Sequence, residues 1–397
     1  MAGSVVEWSP VFSAGRRRNL RRLPLPRAAS GYTDTAPGRG SDLRLERLTI
    51  TDFRCLGSVE LELAPRYNLI VGPNASGKTS LLEAIAYLGR GKSFRGAAIA
   101  NLLRRGSNAF VIVGRVAGSH RTVTVGVRSG RSGLEAHVDG AAGRSTAALA
   151  ELLPLQVIDP EVHGLVAGGP EGRRRFLDWL AFHVEHGFLD TWRRYRRSLA
   201  QRNAALRDHT EALALQGWNR EFCVAAEALD GARRRVFEAA QPALEAAAGS
   251  LLEAPVTVEY QRGWGGDREL AELLTEGLER DRQLGATQSG PQRGELRLVV
   301  QDRQARGLVS RGQQKLLACG LILGAVDFVQ GQLGSKLLLL LDDPAAELDR
   351  PSQQRLMERV AALRCQVVAT ALDADPELFP EPPRLFHVER GALVSRP

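Results

Sequence analysis

The chain has 397 residues, of which 44% are hydrophobic, and this length accommodates two or three domains with a substantial core. Its four cysteines are widely spaced and it has no run of 18 apolar residues, which argues against a cysteine metal site, a disulfide framework and a membrane span. The formal charge of +8 favours a polyanionic partner such as nucleic acid, although an arginine-rich composition set by the genome would also explain it.

The first 42 residues are rich in glycine, proline, serine and arginine. This composition predicts a disordered basic arm, which either binds nucleic acid non-specifically or reflects an over-long start-site assignment. The segment lacks the apolar core of a secretory signal, and together with the scattered thiols this indicates a cytoplasmic location. We expect the ordered part to begin at Leu43.

Short strand-like segments follow Leu43. Several of them alternate apolar and polar residues with the two-residue period of a half-buried strand. Two segments separated by Gly118-Ser119 predict a hairpin. The predicted strands are 59–63, 67–71, 110–116, 121–127, 134–138 and 152–157.

An uninterrupted G-x-x-x-x-G-K-[ST] pattern lies between the apolar segment 67–71 and a helix-like segment over 80–88. This strand–loop–helix context predicts a loop whose backbone N–H groups bind the phosphates of ATP, aided by the positive end of the helix. Lys78 is expected to reach the β- and γ-phosphate oxygens and to assist catalysis, and the Thr79 hydroxyl is expected to hold Mg²⁺. The predicted loop residues are Gly72, Pro73, Asn74, Ala75, Ser76, Gly77, Lys78 and Thr79.

From Pro170 to about Pro242 the apolar period becomes helical. A segment over 188–215, a turn at 216–218 and a heptad-like stretch from Phe222 to Ala239 predict an antiparallel hairpin roughly 40 Å long. A glycine-rich and polar stretch over 282–294 predicts a linker. The outward faces of the hairpin favour a DNA track slightly over a solvated surface, through Arg193, Arg194, Arg196, Arg197, Arg202, Arg207 and Arg233 to Arg235.

Five consecutive leucines end in Asp342-Asp343, which predicts a buried parallel strand with two carboxylates at its C-terminal end. Asp342 is expected to bind the Mg²⁺ shell opposite Thr79. Asp343 is expected to lie next to the γ-phosphate and to orient or deprotonate the attacking water. The competing interpretation is an acidic helix cap or turn.

Upstream of that strand, Ser310 precedes an apolar helix and can cap it, and Gly312 permits a close backbone approach. Such a helix start is a second phosphate-binding device, so we expect it to complete the site of a partner subunit. An ordinary capped core helix is the alternative.

The order of these motifs resembles that of the ABC-type ATPases, and within that superfamily the chain resembles the RecF family of bacterial recombination mediators. The resemblance extends from about Leu43 to the C-terminus. Two segments outside the ATPase motifs make it specific to the RecF family, namely Arg173 to Asp178 and Gln201 to Ala204.

The resemblance implies an α/β fold: an ABC-type ATPase head with an antiparallel strand subdomain and a short helical second lobe that contains a coiled-coil hairpin. We expect residues 1–42 to form the arm, 43–165 and 286–397 the two parts of the head, and 166–285 the lobe. The resemblance further implies ATP and Mg²⁺ as cofactors and weak DNA-stimulated hydrolysis. It also implies an ATP-dependent homodimer that binds single-strand/double-strand DNA junctions or gaps. The partners that it implies are RecR and, as a second candidate, RecO, and it implies no membrane. The nucleotide or metal contacts that it adds are Arg54, Gln156, Ser310, Gly312, Gln313 and Asp349.

The chain departs from these patterns at several positions. Arg311 occupies a position where ABC ATPases have glycine, and Gln292 and Gly294 alter a G-P-H-R-D-D segment of the family. No switch histidine occurs over 367–372, and Asp343 replaces the glutamate of transporters, which indicates slow hydrolysis. Three alternatives remain. The Arg-rich helical insertion disfavours a transporter ATPase subunit, and the short arms of the predicted hairpin disfavour a tether of the SMC type. The absence of an acidic cluster after the ATPase motifs disfavours an ATP-dependent nuclease.

Overall fold

The structure is a computed structural model that describes residues 43–118, 121–208, 211–265, 268–307, 309–375 and 377–394, apart from the side chains of 212–214. The predicted basic arm over residues 1–42 therefore lies outside the described residues.

Six antiparallel strands form the first sheet: β1 (Arg44–Phe53), β2 (Leu56–Glu62), β4 (Ala109–Ala117), β5 (Thr122–Gly130), β6 (Gly133–Val138) and β7 (Ala141–Arg144). Their order is β2-β1-β4-β5-β6-β7, and β4 and β5 pair as the predicted hairpin. Strand β7 was not predicted because its sequence Ala-Ala-Gly-Arg has no apolar alternation.

A second, mostly parallel sheet consists of β3 (Tyr67–Val71), β8 (Leu155–Ile158), β12 (Leu338–Leu341), β13 (Gln366–Ala371), β14 (Arg384–Glu389) and β15 (Ala392–Val394). Its order is β15-β14-β3-β13-β12-β8. The five strands other than β15 pair in parallel, so their C-terminal ends lie at one edge of the sheet. Strand β13 therefore separates the strand of the phosphate loop from the strand of the acidic pair.

The helices are α1 (Lys78–Arg90), α2 (Ile99–Leu102), α3 (Thr146–Leu152), α4 (Gly164–Ala167), α5 (Pro170–Val184), α6 (Phe188–Arg207), α7 (Ala212–Leu252), α8 (Leu270–Glu276), α9 (Leu278–Leu284), α10 (Arg311–Leu333) and α11 (Arg350–Ala362). Short 3₁₀ helices cover Pro160–His163 and Pro291–Arg293.

Hydrophobic layers cover both faces of the parallel sheet, which explains the leucine run of β12. Leu338 and Leu340 pack with α1 and the antiparallel sheet in one cluster of buried residues. Leu339 and Leu341 face the other way and pack with α7 and α10 in a second cluster. A strand buried on both faces requires apolar residues at every position, not an alternating pattern.

Helices α7 and α10 approach closely because α10 carries glycine where the two helices touch. A Cβ atom on Gly320 would lie 2.5 Å from the Ala248 Cα, and one on Gly324 would lie 2.5 Å from the Ala243 carbonyl oxygen. Among the described residues, α10 is the one helix that is long and apolar enough to cross a membrane, and 72% of its apolar window is buried inside the protein.

The helical hairpin differs from the prediction in its turn and its length. Residues 216–218 were predicted to form the turn, but they lie inside α7, and the break falls between Arg207 and Ala212. Helix α7 has 41 residues and continues through Pro242, so it is about 60 Å long beside an α6 of about 30 Å. The glycine of the predicted turn, Gly217, destabilises a helix interior by only about 1 kcal/mol relative to alanine, and tertiary packing outweighs this cost.

The heptad spacing of α7 also ends earlier than predicted. Ala239 is exposed, whereas Ala240 and Leu244 are buried. The buried face shifts by one residue just before the part of α7 that packs against α10, where Gly320 and Gly324 lie against Ala248 and Ala243. A straight helix has a period of 3.6 residues, so a strict heptad drifts off the buried face.

The predicted arginine track is wrong at two positions. Arg202 is 0% exposed and donates to Asp281 and Thr287, and Arg233 is buried in a bidentate ion pair with Asp178. Both side chains therefore hold the interior of the lobe together.

The predicted linker over 282–294 is also wrong, since this segment is fastened to the hairpin. Thr287 is buried and bonds to Arg202 and Asn203. Gln292 accepts a 2.6 Å hydrogen bond from the Tyr195 hydroxyl and donates to the Thr287 carbonyl. Its composition is that of a loop, but its polar groups have fixed partners on α6.

A small antiparallel sheet joins the predicted lobe to the predicted second part of the head. It contains β9 (Val256–Gln261), β10 (Glu295–Val300) and β11 (Arg303–Gln304) in the order β11-β10-β9. Since one cluster of buried residues also runs through both regions, the domain boundary at 285/286 stays a prediction.

Removing the buried guanidinium of Arg233 should destabilise the fold. Arg233→Met leaves the Asp178 carboxylate buried without its partner, which should lower the free energy of unfolding by about 3–5 kcal/mol in urea denaturation. The matched control Arg197→Met replaces an exposed arginine and should change it by less than about 0.5 kcal/mol. An unchanged stability of Arg233→Met with weaker DNA binding would restore the track interpretation.

Candidate functional site

The candidate site lies where the parallel strands end. The phosphate loop follows β3, Thr370 lies near the end of β13, the Asp342-Asp343 pair follows β12, and Asp159 follows β8. The main-chain N–H of Asp342 donates to the Ile158 carbonyl at 2.8 Å, which fixes the ends of β12 and β8 side by side. Sites of open α/β sheets occur at this edge.

The phosphate loop has a backbone that glycine permits. Gly72 has a φ of 156° and Gly77 a φ of 115°, and a Cβ on Gly72 would lie 2.2 Å from the Val388 carbonyl oxygen. The hairpin of β14 and β15 contacts the loop, because the Gly391 N–H donates to the Ser76 carbonyl at 2.7 Å. The C-terminal hairpin thus holds the loop in position.

Lys78 lies along the loop as its position in the motif predicts. Its ammonium donates to the carbonyls of Gly72 at 2.6 Å and Pro73 at 3.1 Å. Burial lowers the pKa of Lys78, and the carboxylates of Asp343 and Asp342 oppose that shift. Helix α1 begins here without a capping side chain, so its first-turn N–H groups face the loop as anion donors.

Thr79 and Asp342 come together as predicted for a magnesium site. The Thr79 hydroxyl donates to Asp342 Oδ1 at 3.0 Å, and the Thr370 hydroxyl donates to the same oxygen at 2.8 Å. Burial raises the pKa of Asp342, and the two hydroxyl donors oppose the shift. A hydroxyl and a carboxylate are hard oxygen ligands of the kind that Mg²⁺ takes alongside water and phosphate, so these residues fit the metal.

Asp343 adopts a backbone conformation that is unusual for aspartate. Its φ is 49°, and its N–H donates to the Thr370 hydroxyl oxygen at 2.9 Å. The side chain is half-buried, beside the buried Asp342. Lys78 and Lys315 both lie within electrostatic range of it.

Asp159 is a site residue that the sequence analysis missed. It is buried, and its pKa is raised to about 6, first by burial and then by the Asp342 carboxylate. The sequence does contain a signal for Asp159, because this is the first polar residue after the predicted strand 152–157, which also contains Gln156. Sites of open α/β sheets lie just beyond the C-terminal ends of their strands.

The structure contradicts the predicted metal contact of Gln156. This residue pairs in register with Leu339, well before the strand end, and its Oε1 accepts a 2.8 Å hydrogen bond from Arg90. Arg90 is the last residue of α1, about 18 Å along that helix from Lys78. Gln156 therefore lies towards the N-terminal ends of the parallel strands, whereas the phosphate loop lies at their C-terminal ends.

Arg54 lies next to the phosphate loop, but its guanidinium is paired with the buried carboxylate of Glu83. Ser93 also donates to Glu83, and the neighbouring Cys55 contacts Ser80. The role of Arg54 as a nucleotide contact stays a prediction.

The start of α10 forms a complete capping box. The Ser310 hydroxyl accepts from the Gln313 N–H, and the Gln313 side chain accepts from the Ser310 N–H. Both residues are exposed, and a Cβ on Gly312 would find no atom closer than 3.9 Å. The predicted second phosphate-binding device is therefore accessible, and its hydrogen bonds do not include the phosphate loop of the same chain.

The start of α10 is also joined to the loop that follows the acidic pair. Arg311 forms an ion pair with Glu347, and the buried Lys315 donates to the Ala346 carbonyl. Asp349 ends this loop, where its side chain caps α11 by accepting from the Ser352 N–H at 2.9 Å. Arg311 thus has a structural partner at the position where ABC ATPases have glycine.

The segment around Gln292, which departs from the family pattern, is joined to the helical lobe by polar contacts. Glu295 pairs with Arg173 through two hydrogen bonds of 2.7 and 2.8 Å. The Gly294 carbonyl accepts from Arg174 at 2.8 Å, and Gln292 accepts from the hydroxyl of Tyr195. These contacts all run between the segment and the helical lobe.

Comparisons with known proteins agree with this geometry. The model of the RecF/RecN/SMC N terminal domain family matches residues 44–385. The DNA replication and repair protein RecF of Erwinia tasmaniensis is 40% identical over 359 residues, which cover 89% of this chain and 99% of the relative. RecF of Pseudomonas fluorescens strain Pf-5 is 41% identical over 365 residues, covering 89% and 98%.

Solved structures show the same fold. The recombination mediator protein RecF with ATP in the RecFOR pathway superposes with a TM-score of 0.81 at 22% identity, covering 92% of this chain and 100% of that chain. An Smc head domain from Pyrococcus furiosus superposes with a TM-score of 0.54 at 13% identity, covering 88% and 95%. The predicted α/β ATPase head of the ABC type, with antiparallel strands and a helical lobe, is confirmed.

Asp159 should give the stability a pH dependence that its asparagine variant lacks. Since its native pKa is raised from 3.8 to about 6, its protonation stabilises the native state at low pH, and this stability is lost as the pH rises to about 6. The stability of Asp159→Asn relative to the parent should therefore increase by about 1–2 kcal/mol from pH 5 to pH 7.5.

The measurement is urea denaturation at several pH values, with a chelator and without nucleotide. Glu161→Gln, with a side chain 64% exposed, is the control and should leave the stability unchanged at neutral pH. A stability difference for Asp159→Asn that does not vary with pH would contradict the raised pKa.

Proposed function

The chain belongs to the RecF family of the RecF/RecN/SMC group, and we propose that it is a DNA-binding recombination mediator whose nucleotide state controls its hold on DNA. ATP binding brings two subunits together on DNA gaps or junctions, and weak hydrolysis releases them. Family membership favours this function over a transporter subunit, a tether or a nuclease. The protein acts on DNA in the cytoplasm, with RecR as its partner and RecO as a second candidate.

The observation that carries the proposal is the meeting of Thr79 and Asp342 at 3.0 Å beside a phosphate loop with Lys78 in place. Thr79 and Asp342 would hold Mg²⁺, and that ion would neutralise phosphate charge when bound. Lys78 and the N–H groups of the loop and of α1 bind and orient the phosphates. Two relatives about 40% identical carry the name of a DNA replication and repair protein.

Asp343 supplies the group that orients or deprotonates the attacking water. Its backbone is fixed by the Thr370 hydroxyl, so the carboxylate projects from a set position after β12. An aspartate reaches less far than the glutamate of transporters, which supports slow turnover. Slow hydrolysis is suited to ending the ATP-bound dimeric state.

The start of α10 supports a dimer in which each subunit completes the other's site. Ser310 and Gln313 are exposed, and their capped helix end is a phosphate-binding device. In this arrangement Ser310, Gly312 and Gln313 of one subunit face the phosphate loop of the other, with Asp349 near the contact. Within one chain, α10 is bonded to the loop after the acidic pair. A contact made at Ser310 would therefore also affect the carboxylates of the subunit that carries this Ser310.

The exposed arginines of α6 support part of the proposed DNA surface. Arg196 and Arg197 are exposed, and Arg196 stacks over Trp192 at 5.3 Å. A basic surface with an aromatic neighbour is suited to DNA backbone and bases. Four other exposed arginines of the hairpin pair with acidic side chains, namely Arg193, Arg194, Arg234 and Arg235. The exposed Arg207 donates to the Gly285 carbonyl at 3.3 Å.

The first test is fluorescence anisotropy on gapped duplex DNA with ATP, with ADP and without nucleotide, at moderate salt. We expect tighter binding with ATP only. Lys78→Arg should lose this ATP effect and weaken ATP binding by at least roughly tenfold, because a planar guanidinium fits poorly among phosphates. The control Lys336→Arg changes a lysine bonded to the Leu363 carbonyl and should behave as the parent.

Equal binding of DNA in all three nucleotide conditions would mean that charge alone binds DNA, and the nucleotide-controlled function would be abandoned. An unchanged ATP affinity of Lys78→Arg would refute the role of the phosphate loop.

The proposed dimer predicts a selective effect at the start of α10. Ser310→Arg should leave ATP binding to the monomer intact but prevent ATP-induced dimerisation in sedimentation velocity, since a bulky cation fills the contact. Ser145→Arg is the matched control, because Ser145 is also an exposed serine that caps a helix, α3. An ATP-induced dimer of Ser310→Arg as strong as that of the parent would show that this helix end lies outside the interface.

A further inference from the structure

Thr370 lies at the centre of the site without having been assigned any role. It is 0% exposed and pairs with Ile70 on the neighbouring strand β3. Because β13 lies between β3 and β12, its last residues lie between the strand of the phosphate loop and the strand of the acidic pair. The Thr370 side chain contacts both residues of that pair.

On one side, the Thr370 hydroxyl acts on the carboxylate that would hold the metal. It donates to Asp342 Oδ1 at 2.8 Å, and the Thr79 hydroxyl donates to the same oxygen at 3.0 Å. Two donors on one oxygen fix the rotation of the carboxylate about its side-chain bond. The orientation of Asp342 is therefore set by one residue of helix α1 and one residue of strand β13.

On the other side, the Thr370 oxygen acts on the next residue of the pair. It accepts the N–H of Asp343 at 2.9 Å, and Asp343 has the positive φ of 49°. A non-glycine residue in this region is held only when its surroundings fix it. This hydrogen bond helps to hold the turn that projects the second carboxylate.

We propose that Thr370 is a positioning residue that couples the metal-binding carboxylate of Asp342 to the backbone of Asp343. The task requires a group that donates and accepts at once, which a hydroxyl does and an aliphatic side chain does not. Thr370 lies within the stretch 367–372, where this chain has no switch histidine. The inference rests on the proposed ATPase function.

The competing interpretation is a buried threonine that only stabilises the core. Thr370→Val separates the two, because valine keeps the shape and removes both hydrogen bonds. Thr370→Ser keeps the hydroxyl and is the conservative rescue. Should the valine variant fail to fold, Thr370→Cys, with its weak donor, takes its place with the same expectation.

The readouts are kcat and KM for ATP and, separately, Mn²⁺ binding in the presence of ADP by electron paramagnetic resonance. We expect Thr370→Val to lower kcat by roughly tenfold or more and to weaken Mn²⁺ binding, with KM changed by less than about threefold. Thr370→Ser should stay within about threefold of the parent in each readout. Denaturation curves record the loss of stability independently.

A Thr370→Val protein that is less stable but keeps parental kcat and Mn²⁺ binding would overturn the proposal. A parent protein without ATP hydrolysis would instead refute the proposed function. In that case Mn²⁺ binding still decides the role of Thr370, since an unchanged affinity in Thr370→Val would overturn it.

Discussion

The pairing of β12 with β13 on one side and β8 on the other is the constraint on which the nucleotide site depends. It aligns the strand ends, so that Asp342 meets Thr79 from the phosphate loop and Thr370 from the strand between them. The two apolar layers bury β12 on both faces, and the hydrogen bond from the Asp342 N–H to the Ile158 carbonyl fixes where the strand ends. A stable core and a positioned set of oxygen ligands thus have the same cause.

Charge in this protein serves two purposes that composition cannot separate. Some arginines are buried in ion pairs that fasten the lobe, as Arg233 does with Asp178 and Arg202 with Asp281. Others, such as Arg197, are exposed on α6 and contribute to the field that attracts polyanions. The number of arginines in the sequence of the hairpin therefore overstates the number available to DNA, although each buried ion pair leaves the net charge of +8 unchanged.

The polar contacts around α10 relate the proposed dimer contact to the acidic pair. Arg311 and Lys315 bind the loop between Asp343 and Asp349, so that the helix start and this loop form one connected unit. In its middle, at Gly320 and Gly324, α10 packs closely on α7, the long helix of the lobe. The start of α10 is therefore connected through the loop to the acidic pair and through α7 to the lobe.

The sequence by itself determined the features that are local: the phosphate loop, the capped start of α10, the acidic pair and the family. These depend on adjacent residues, such as the glycines whose φ values the loop requires and the leucines of a strand buried on both faces. Tertiary structure alone decided that Thr370 lies in the site, that Gln156 does not, and that residues 216–218 continue a helix. The physical reason is that strand order, burial and packing join residues far apart in the chain, and no local pattern records which of them meet.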